Sequence, residues 1–345
     1  MLDATPTLLD RQYRLWSWIS NYYMSPLGDV YNAAMPAGMK SAEKFKPRME
    51  LYVELTSKYR NEASLHVALN MLQRALKQSK ALTTFLSLSH WDSLENDTPR
   101  EGIKKVTKEE LMNEAHCTSA IVKSLIDRDI LFTYEEDVGR LNTSGESHFE
   151  QIKPLSIAQQ EAYNKILLQM MKKNVVLLHG VTSSGKTEVY IHLIKQALDN
   201  HKQVLYLLPE IALTVQIMER LHKVFGDRLG IYHSKYSDAE RVEIWQKQMS
   251  AHPYDVILGA RSAVFLPFQN LGLVVIDEEH ETSFKQQDPA PRYHARSAAI
   301  VLAGMYPDCK VLLGTATPSM ESYYNAQEGK YGLVAVSYTH LTLPT

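Results

Sequence analysis

Three short segments carry residue types that together can bind and cleave a phosphate anhydride. The first is Gly180-Val181-Thr182-Ser183-Ser184-Gly185-Lys186-Thr187. Its glycines let backbone N–H groups approach an anion with no Cβ in the way. Lys186 offers charge to β- and γ-phosphates, and the Thr187 hydroxyl can hold Mg²⁺. The second is Asp277-Glu278-Glu279-His280. Asp277 suits Mg²⁺, and Glu278 suits the polarisation of an attacking water. A carboxylate beside Mg²⁺ stays ionised, because the cation favours its charged form. The third is Gly314-Thr315-Ala316-Thr317-Pro318-Ser319. Small hydroxyl residues there can exchange hydrogen-bond partners when a phosphate is cleaved, which couples a nucleotide site to another surface. Taken singly, the three read as a glycine turn, an acidic strand end and a second turn. Their context decides.

That context is a set of short apolar runs. Val175–Leu178, Val204–Leu208, Val256–Leu258, Leu273–Ile276 and Val311–Leu313 are near-continuous, as strands covered on both faces are. Helical patterns lie between them. Each chemical segment directly follows one such run, and a helix beginning Glu188-Val-Tyr-Ile follows the first. The C-terminal ends of parallel strands face the ligand crevice, and a helix N-terminus adds partial positive charge at the phosphate position. Residues 154–336 are therefore expected to form a doubly wound α/β domain.

The preceding residues are organised differently. Leu9, Tyr13, Trp16, Ile19 and Tyr23 recur at helical spacing, and a short helix from Val30 to Met35 follows Ser25-Pro26-Leu27-Gly28. Residues 1–47 cannot bury much core alone. They are either docked on a neighbour or part of a larger domain. Residues 48–141 form a second zone. Leu65, Leu69, Leu72 and Leu76 mark one helix, and residues 40–80 carry nine Lys/Arg against four acids. Thr107-Lys-Glu-Glu is a capping-box pattern that starts a helix. A break at His116-Cys117-Thr118, a second helix with Val122, Leu125 and Ile126 inward, and a strand at Ile130–Tyr134 follow. Helix, turn, helix, strand is the order of a winged helix. Fourteen acids against seven bases over residues 92–150 argue against strong phosphate binding by that helix. Residues 142–153 read as a polar linker.

Composition narrows the function classes. The 345 residues imply two or three domains. With 37 Lys/Arg against 39 Asp/Glu, a non-specific basic coat for nucleic acid is disfavoured, although a local basic face is not. Two cysteines, Cys117 and Cys309, exclude a disulfide framework and a four-thiolate zinc site. No apolar run reaches membrane-span length, and the N-terminal residues lack a signal-peptide core. The cytoplasm is the expected location.

The three chemical segments, in this order, resemble a superfamily 2 helicase with a DEEH box. Gly-Val-Thr-Ser-Ser-Gly-Lys-Thr-Glu-Val-Tyr (180–190), Leu-Leu-Pro-Glu-Ile-Ala-Leu-Thr (207–214), Gly-Ala-Arg-Ser-Ala-Val-Phe (259–265), Phe-Lys-Gln-Gln (284–287) and Pro-Arg-Tyr-His-Ala-Arg (291–296) sharpen this to the PriA family of primosomal replication-restart helicases. Asn-Tyr-Tyr-Met-Ser-Pro-Leu-Gly-Asp (21–29) and Met-Pro-Ala-Gly (35–38) agree. The resemblance implies an α/β, RecA-like P-loop motor lobe with a parallel sheet, preceded by a winged-helix domain and a partial N-terminal domain that binds DNA 3′ ends. It implies ATP and Mg²⁺ as cofactors, with Gln159 on the adenine. Thr214, Arg261 and Ser262 would track DNA, and Phe284, Lys285, Arg292 and Tyr293 would lie in an aromatic-rich loop that stacks single-stranded bases. Gly314, Thr315, Ala316 and Thr317 would couple the two sites.

The implied activity is 3′-to-5′ DNA unwinding at stalled forks, in the cytoplasm at the nucleoid. Implied partners are fork and single-stranded DNA, primosome proteins, single-stranded-DNA-binding protein and the replicative helicase loader, with no membrane. Such helicases have a second lobe with arginines for the γ-phosphate and a zinc-binding cysteine cluster. A missing arginine finger costs roughly 10³–10⁵ in turnover. The chain is thus expected to be a truncated piece with poor turnover, and Ser337–Thr345 to be a non-native tail. A different superfamily 2 translocase is one alternative, opposed by Glu-Val-Tyr and Pro-Arg-Tyr-His-Ala-Arg. A non-enzymatic DNA-binding or adaptor module centred on residues 48–141 is the other.

Overall fold

The structure, a computed structural model, describes residues 6–40, 49–60, 62–91, 104–137, 151–180, 185–233 and 236–336. Two helices open the chain, α1 (Asp10–Tyr22) and α2 (Leu27–Ala34). Two compact units follow from the contacts. One joins Met1–Lys46 with Leu141–Thr345, and the other is Pro47–Arg140.

The smaller unit contains β1 (Met49–Leu55), α3 (Glu62–Met71), α4 (Leu76–Leu88), β2 (Val106–Thr107), α5 (Lys108–Glu114), α6 (Ser119–Asp127) and β3 (Leu131–Asp137). Its antiparallel sheet has the order β2-β1-β3. The helix–turn–helix–strand order holds for α5, α6 and β3. The Thr107 hydroxyl accepts from Glu110 N at 3.0 Å, while the Glu110 carboxylate pairs with Lys104 at 2.9 Å instead of closing a capping box. One helix spanning Leu65 to Leu76 is corrected to two. Ala75 leaves the helical region at φ −115°, and Leu76 is 78% exposed. The basic residues Lys44, Lys46 and Arg48 lie outside the described residues, as do the linker up to residue 150 and the tail from Ser337.

The larger unit is built on a seven-stranded parallel sheet. Its elements are α7 (Ile157–Lys172), β4 (Val175–Gly180), α8 (Lys186–Asp199), β5 (Gln203–Leu207), α9 (Val215–Phe225), β6 (Leu229–Tyr232), α10 (Asp238–Met249), β7 (Val256–Gly259), β8 (Leu271–Asp277), α11 (Ala295–Ala303), β9 (Lys310–Thr315), α12 (Met320–Gln327) and β10 (Gly332–Val336). The strand order is β10-β4-β9-β8-β5-β7-β6. All five expected strands are present. β6 and β10 lie outside the expected runs: β6 is only four residues long and contains Gly230, and β10 is an edge strand whose burial alternates. Helices cover both faces, with one core of Val175, Leu205, Ile257, Val274 and Leu313 and another of Val176, Tyr206, Leu258, Val275 and Leu312. This is the α/β architecture that the strand runs predict. Among the described residues no helix is long and apolar enough to cross a membrane.

The N-terminal helices dock on this unit. Leu15, Trp16 and Ile19 join the core that contains Val264, Phe265 and Ala299. Gln12 Nε2 donates to Phe265 O at 2.8 Å, and Trp245 Nε1 donates to Thr7 O at 3.0 Å. Burial of each large apolar side chain contributes about 1.5–3 kcal/mol. The buried stripe is Gln12-Leu15-Trp16-Ile19, so Tyr13 is corrected from inward to exposed. Trp16 and Ile19 belong to both the expected stripe and the buried one.

Candidate active site

All three chemical segments end neighbouring strands, because β9 lies between β4 and β8. His179 pairs with Thr315 and Asp277 pairs with Gly314. Of the phosphate-loop residues, Val181, Thr182, Ser183 and Ser184 lie outside the described residues. The loop's two ends are described. β4 closes on Gly180, and Gly185 stands at φ +70° as the N-cap of α8. A Cβ on Gly185 would lie 2.2 Å from Gln159 Nε2. Gln159 caps α7, accepting from Ser156 N at 2.9 Å, and its amide donates to Gly185 O at 3.3 Å. It therefore borders the loop.

Lys186 Nζ donates to Gly180 O at 3.1 Å and lies 3.7 Å from Glu278 Oε1. Thr187 occupies the first turn of α8, where free N–H groups and the helix dipole favour anions. Tyr190 OH donates to Asp277 Oδ1 at 3.0 Å, Glu278 N donates to the same oxygen at 3.1 Å, and Tyr206 OH lies 3.5 Å from Oδ2. Burial, then the neighbouring Glu278 charge, push the Asp277 carboxyl up to about 6. Burial and Asp277 hold both phenols well above their ordinary range, so they remain donors. The Lys186 charge offsets part of that rise, and a divalent cation would add further counter-charge beside Asp277.

The DEEH box has three differently directed members. Glu278 sits at φ +48°, a conformation that costs a residue with a Cβ about 1–2 kcal/mol. Glu279 is fully buried. It accepts from Ser319 N at 2.7 Å, Ser319 Oγ at 3.0 Å, Ser322 Oγ at 2.8 Å and Arg296 Nη1 at 2.5 Å. Burial raises its carboxyl, but these donors outweigh burial and hold it below its ordinary value. His280 Nδ1 lies 2.7 Å from Thr315 Oγ1 and 3.7 Å from Glu278 Oε2. Thr317 N donates to Thr315 Oγ1 at 3.1 Å, and His179 Nε2 is 3.2 Å from Ala316 O. The acids and the third segment are thus in direct contact. Motif spacing did not disclose Tyr190, Tyr206, Glu279, Arg296 or Ser322 as site residues. Nothing in their spacing marks them as mutual partners.

The expected DNA residues separate into two groups. Leu208, Pro209, Arg261, Ser262 and Ser283 line one narrow cleft, so the 208–214 and 259–262 loops do meet. Thr214 is exposed at the start of α9, accepting from Ile217 N at 3.5 Å. Arg261 braces the next loop, donating to Ser283 O at 3.3 Å and Lys285 O at 3.1 Å. Lys285 lies 5.0 Å over the Tyr23 ring and donates to Arg292 O. Arg292 is the exposed cation of the group. Phe284 and Tyr293 are buried at 0% and 1%, and Tyr293 packs edge-on to Phe265 at 4.9 Å. Base stacking by these two rings gives way to core packing, with buried Phe284 bordering the same cleft.

Comparison with known proteins agrees with this layout. Profiles for the 3′DNA-binding domain of PriA, the winged-helix domain of PriA helicase from Bacteroidota and the DEAD/DEAH box helicase match residues 1–36, 50–138 and 156–326. The replication restart protein PriA of Bacillus subtilis is 32% identical over 100% of this chain and 48% of its own length. That of Haemophilus influenzae is 34% identical over 97% of this chain and 43% of its own length. That of Helicobacter pylori strain J99 is 43% identical over 50% of this chain and 28% of its own length. The chain thus spans about half or less of the length of the curated relatives it matches. With a nucleotide-loop strand, a DEEH box and a Gly-Thr-Ala-Thr-Pro segment at adjoining strand ends, and three profiles in sequence along it, the chain belongs to the PriA family of helicases.

Proposed function

We propose that this chain supplies the ATP-binding first motor lobe, the winged-helix domain and part of the 3′-end-binding domain of an ATP-driven 3′-to-5′ DNA helicase that restarts replication at stalled forks. The observation that carries this reading is the juxtaposition of Lys186, the Asp277–Glu278 pair and Thr315 at three adjoining strand ends. We divide the chain at 1–47, 48–141, the linker 142–153, the lobe 154–336 and the tail 337–345.

In this mechanism the Gly180–Thr187 loop and the α8 N-terminus cradle the phosphates, and Gln159 contacts the adenine. Lys186 neutralises charge on the β- and γ-phosphates. Thr187 and Asp277 would hold Mg²⁺, which when bound would supply charge neutralisation at the transferred phosphoryl group. Glu278 polarises the attacking water. His280 and Thr315 carry the change at the phosphate into the Gly314–Thr317 segment. From there it reaches Thr214, Arg261, Ser262, Lys285 and Arg292, which meet the DNA backbone.

Partners proposed for the whole protein are fork and single-stranded DNA, primosome proteins, single-stranded-DNA-binding protein and the replicative helicase loader, in the cytoplasm at the nucleoid. Zinc is proposed only for the cysteine cluster of a second lobe. Cys117 and Cys309 lie in different units, and among the described residues no group of three or more His, Cys, Asp or Glu could hold a metal.

The test is nucleotide binding by this chain. Weak, Mg²⁺-dependent ATP binding should vanish in Lys186→Ala, with almost no hydrolysis stimulated by DNA. Brisk hydrolysis that disappears in Lys186→Ala would show that a second lobe is dispensable. Fork-DNA binding with no ATP binding, unaffected by Lys186→Ala, would favour the adaptor reading instead.

A further inference from the structure

We propose that Glu279 is a positioning residue for Glu278: anchored to α11 and to the start of α12, it holds the preceding residue in the turn that aims the Glu278 carboxylate at the nucleotide site. The inference rests on the reading of Glu278 as the group that polarises water.

The geometry has two anchors one residue apart. On one side, Asp277 ends β8 and takes hydrogen bonds from Tyr190 OH and Glu278 N. On the other, Glu279 N donates to Gly314 O at 3.2 Å. The Glu279 carboxylate then receives Ser319 N, Ser319 Oγ, Ser322 Oγ and Arg296 Nη1. Ser319 caps α12, and Arg296 lies in the first turn of α11. Only Glu278 connects these fixed points, and it does so at φ +48°. That left-handed turn leaves its carboxylate 3.7 Å from Lys186 Nζ and 3.7 Å from His280 Nδ1.

Stability alone is a weak reason for such a pair. Replacing a buried ion pair by apolar residues of similar volume is often neutral or stabilising. Backbone strain that persists at a site persists because its surroundings over-determine it. Here the over-determining group is Glu279. The same node ties the end of β8 to the segment after β9, so movement of either α11 or α12 changes the aim of Glu278.

The experiment uses this chain in excess over ATP and follows its slow, DNA-independent phosphate release with Mg²⁺ over a single turnover, extended until the unsubstituted chain gives a measurable rate. ATP affinity and thermal melting are measured alongside. Glu279→Gln keeps the side-chain shape, and Glu279→Ala removes it. If the alanine variant does not fold, the glutamine variant carries the test. A misplacement of about 1 Å in a reacting group costs roughly 100-fold, so Glu279→Gln should slow release about 10- to 100-fold. ATP affinity should stay within about threefold, because Lys186 and the loop are untouched. In a Glu278→Gln background, adding Glu279→Gln should slow release no further, since nothing remains to be positioned.

An unslowed Glu279→Gln overturns the inference. So does a loss of affinity equal to the loss of rate, or a full further loss in the double variant. If Glu278→Gln alone leaves the rate unchanged, the underlying reading of Glu278 fails instead, and this inference falls with it.

Discussion

Replacing Gly314 by alanine puts one methyl group where the three strand ends come closest. The new Cβ would lie 1.8 Å from Tyr190 OH, 2.9 Å from Tyr190 Cζ and 3.3 Å from Asp277 Oδ1. Gly314 is not among the positive-φ residues, so its requirement is space and not backbone freedom. Tyr190 is fully buried, and the hydroxyl that must move donates to Asp277 at 3.0 Å. Displacing it past van der Waals contact breaks that bond. Overpacking costs about 1–3 kcal/mol, and loss of a hydrogen bond to a charged group costs about 1.5–3 kcal/mol. The expected destabilisation is about 2.5–6 kcal/mol, a large share of the 5–15 kcal/mol typical of a folded domain. In a Trp91→Phe background, urea unfolding followed by the fluorescence of Trp16, Trp18 and Trp245 reports on this unit. Tyr190→Phe removes the atom nearest the methyl group. The double variant should therefore be less destabilised than the sum of the two singles by at least about 1 kcal/mol. Additive losses, or an unchanged midpoint in Gly314→Ala, would refute the packing argument.

Two further outcomes follow from the site. Asp277 has a raised carboxyl, so the folded chain binds more protons than the unfolded chain between pH of about 4 and 6. Without Mg²⁺, stability should fall as pH rises through that window, by up to about 3 kcal/mol at 1.36 kcal/mol per unit. Asp277→Asn should lack this dependence, and parallel pH profiles for the two proteins would contradict it. Mg²⁺-dependent ATP binding should strengthen over the same window, as Asp277 ionises. In the nearby loop, Phe284→Ala should cost about 3–5 kcal/mol of stability. Arg292→Ala should change stability by less than about 0.5 kcal/mol while lowering single-stranded DNA affinity and its salt slope by about one. Loss of DNA affinity in Phe284→Ala with stability intact would mean that the ring is accessible after all.

The chemistry was legible where residue type and strand context coincide. Lys186, Asp277 and Thr315 each follow a doubly covered apolar run, and such runs are a local property of the chain. The helix stripe around Trp16 was half legible, since two stripes share that residue and packing selects one. The break before Leu76 was not legible, because leucine spacing continues through a turn that only the smaller unit's fold imposes.

Sequence patterning alone determined the parallel α/β class, the order of the three chemical segments and the residues able to bind phosphate. These depend on side-chain type and on near-continuous apolar runs alternating with helical periods of 3.6 residues. Tertiary structure decided which segments touch. β9 enters between β4 and β8 although it follows both in the chain, and that insertion brings Thr315 to His280 and Gly314 to Tyr190. It also decided that Phe284 and Tyr293 face the core, while Glu279, acidic like its two predecessors, turns away from the nucleotide loop toward Arg296 and Ser319. A side chain's partners across tens or hundreds of residues depend on strand order, and no local spacing encodes that order.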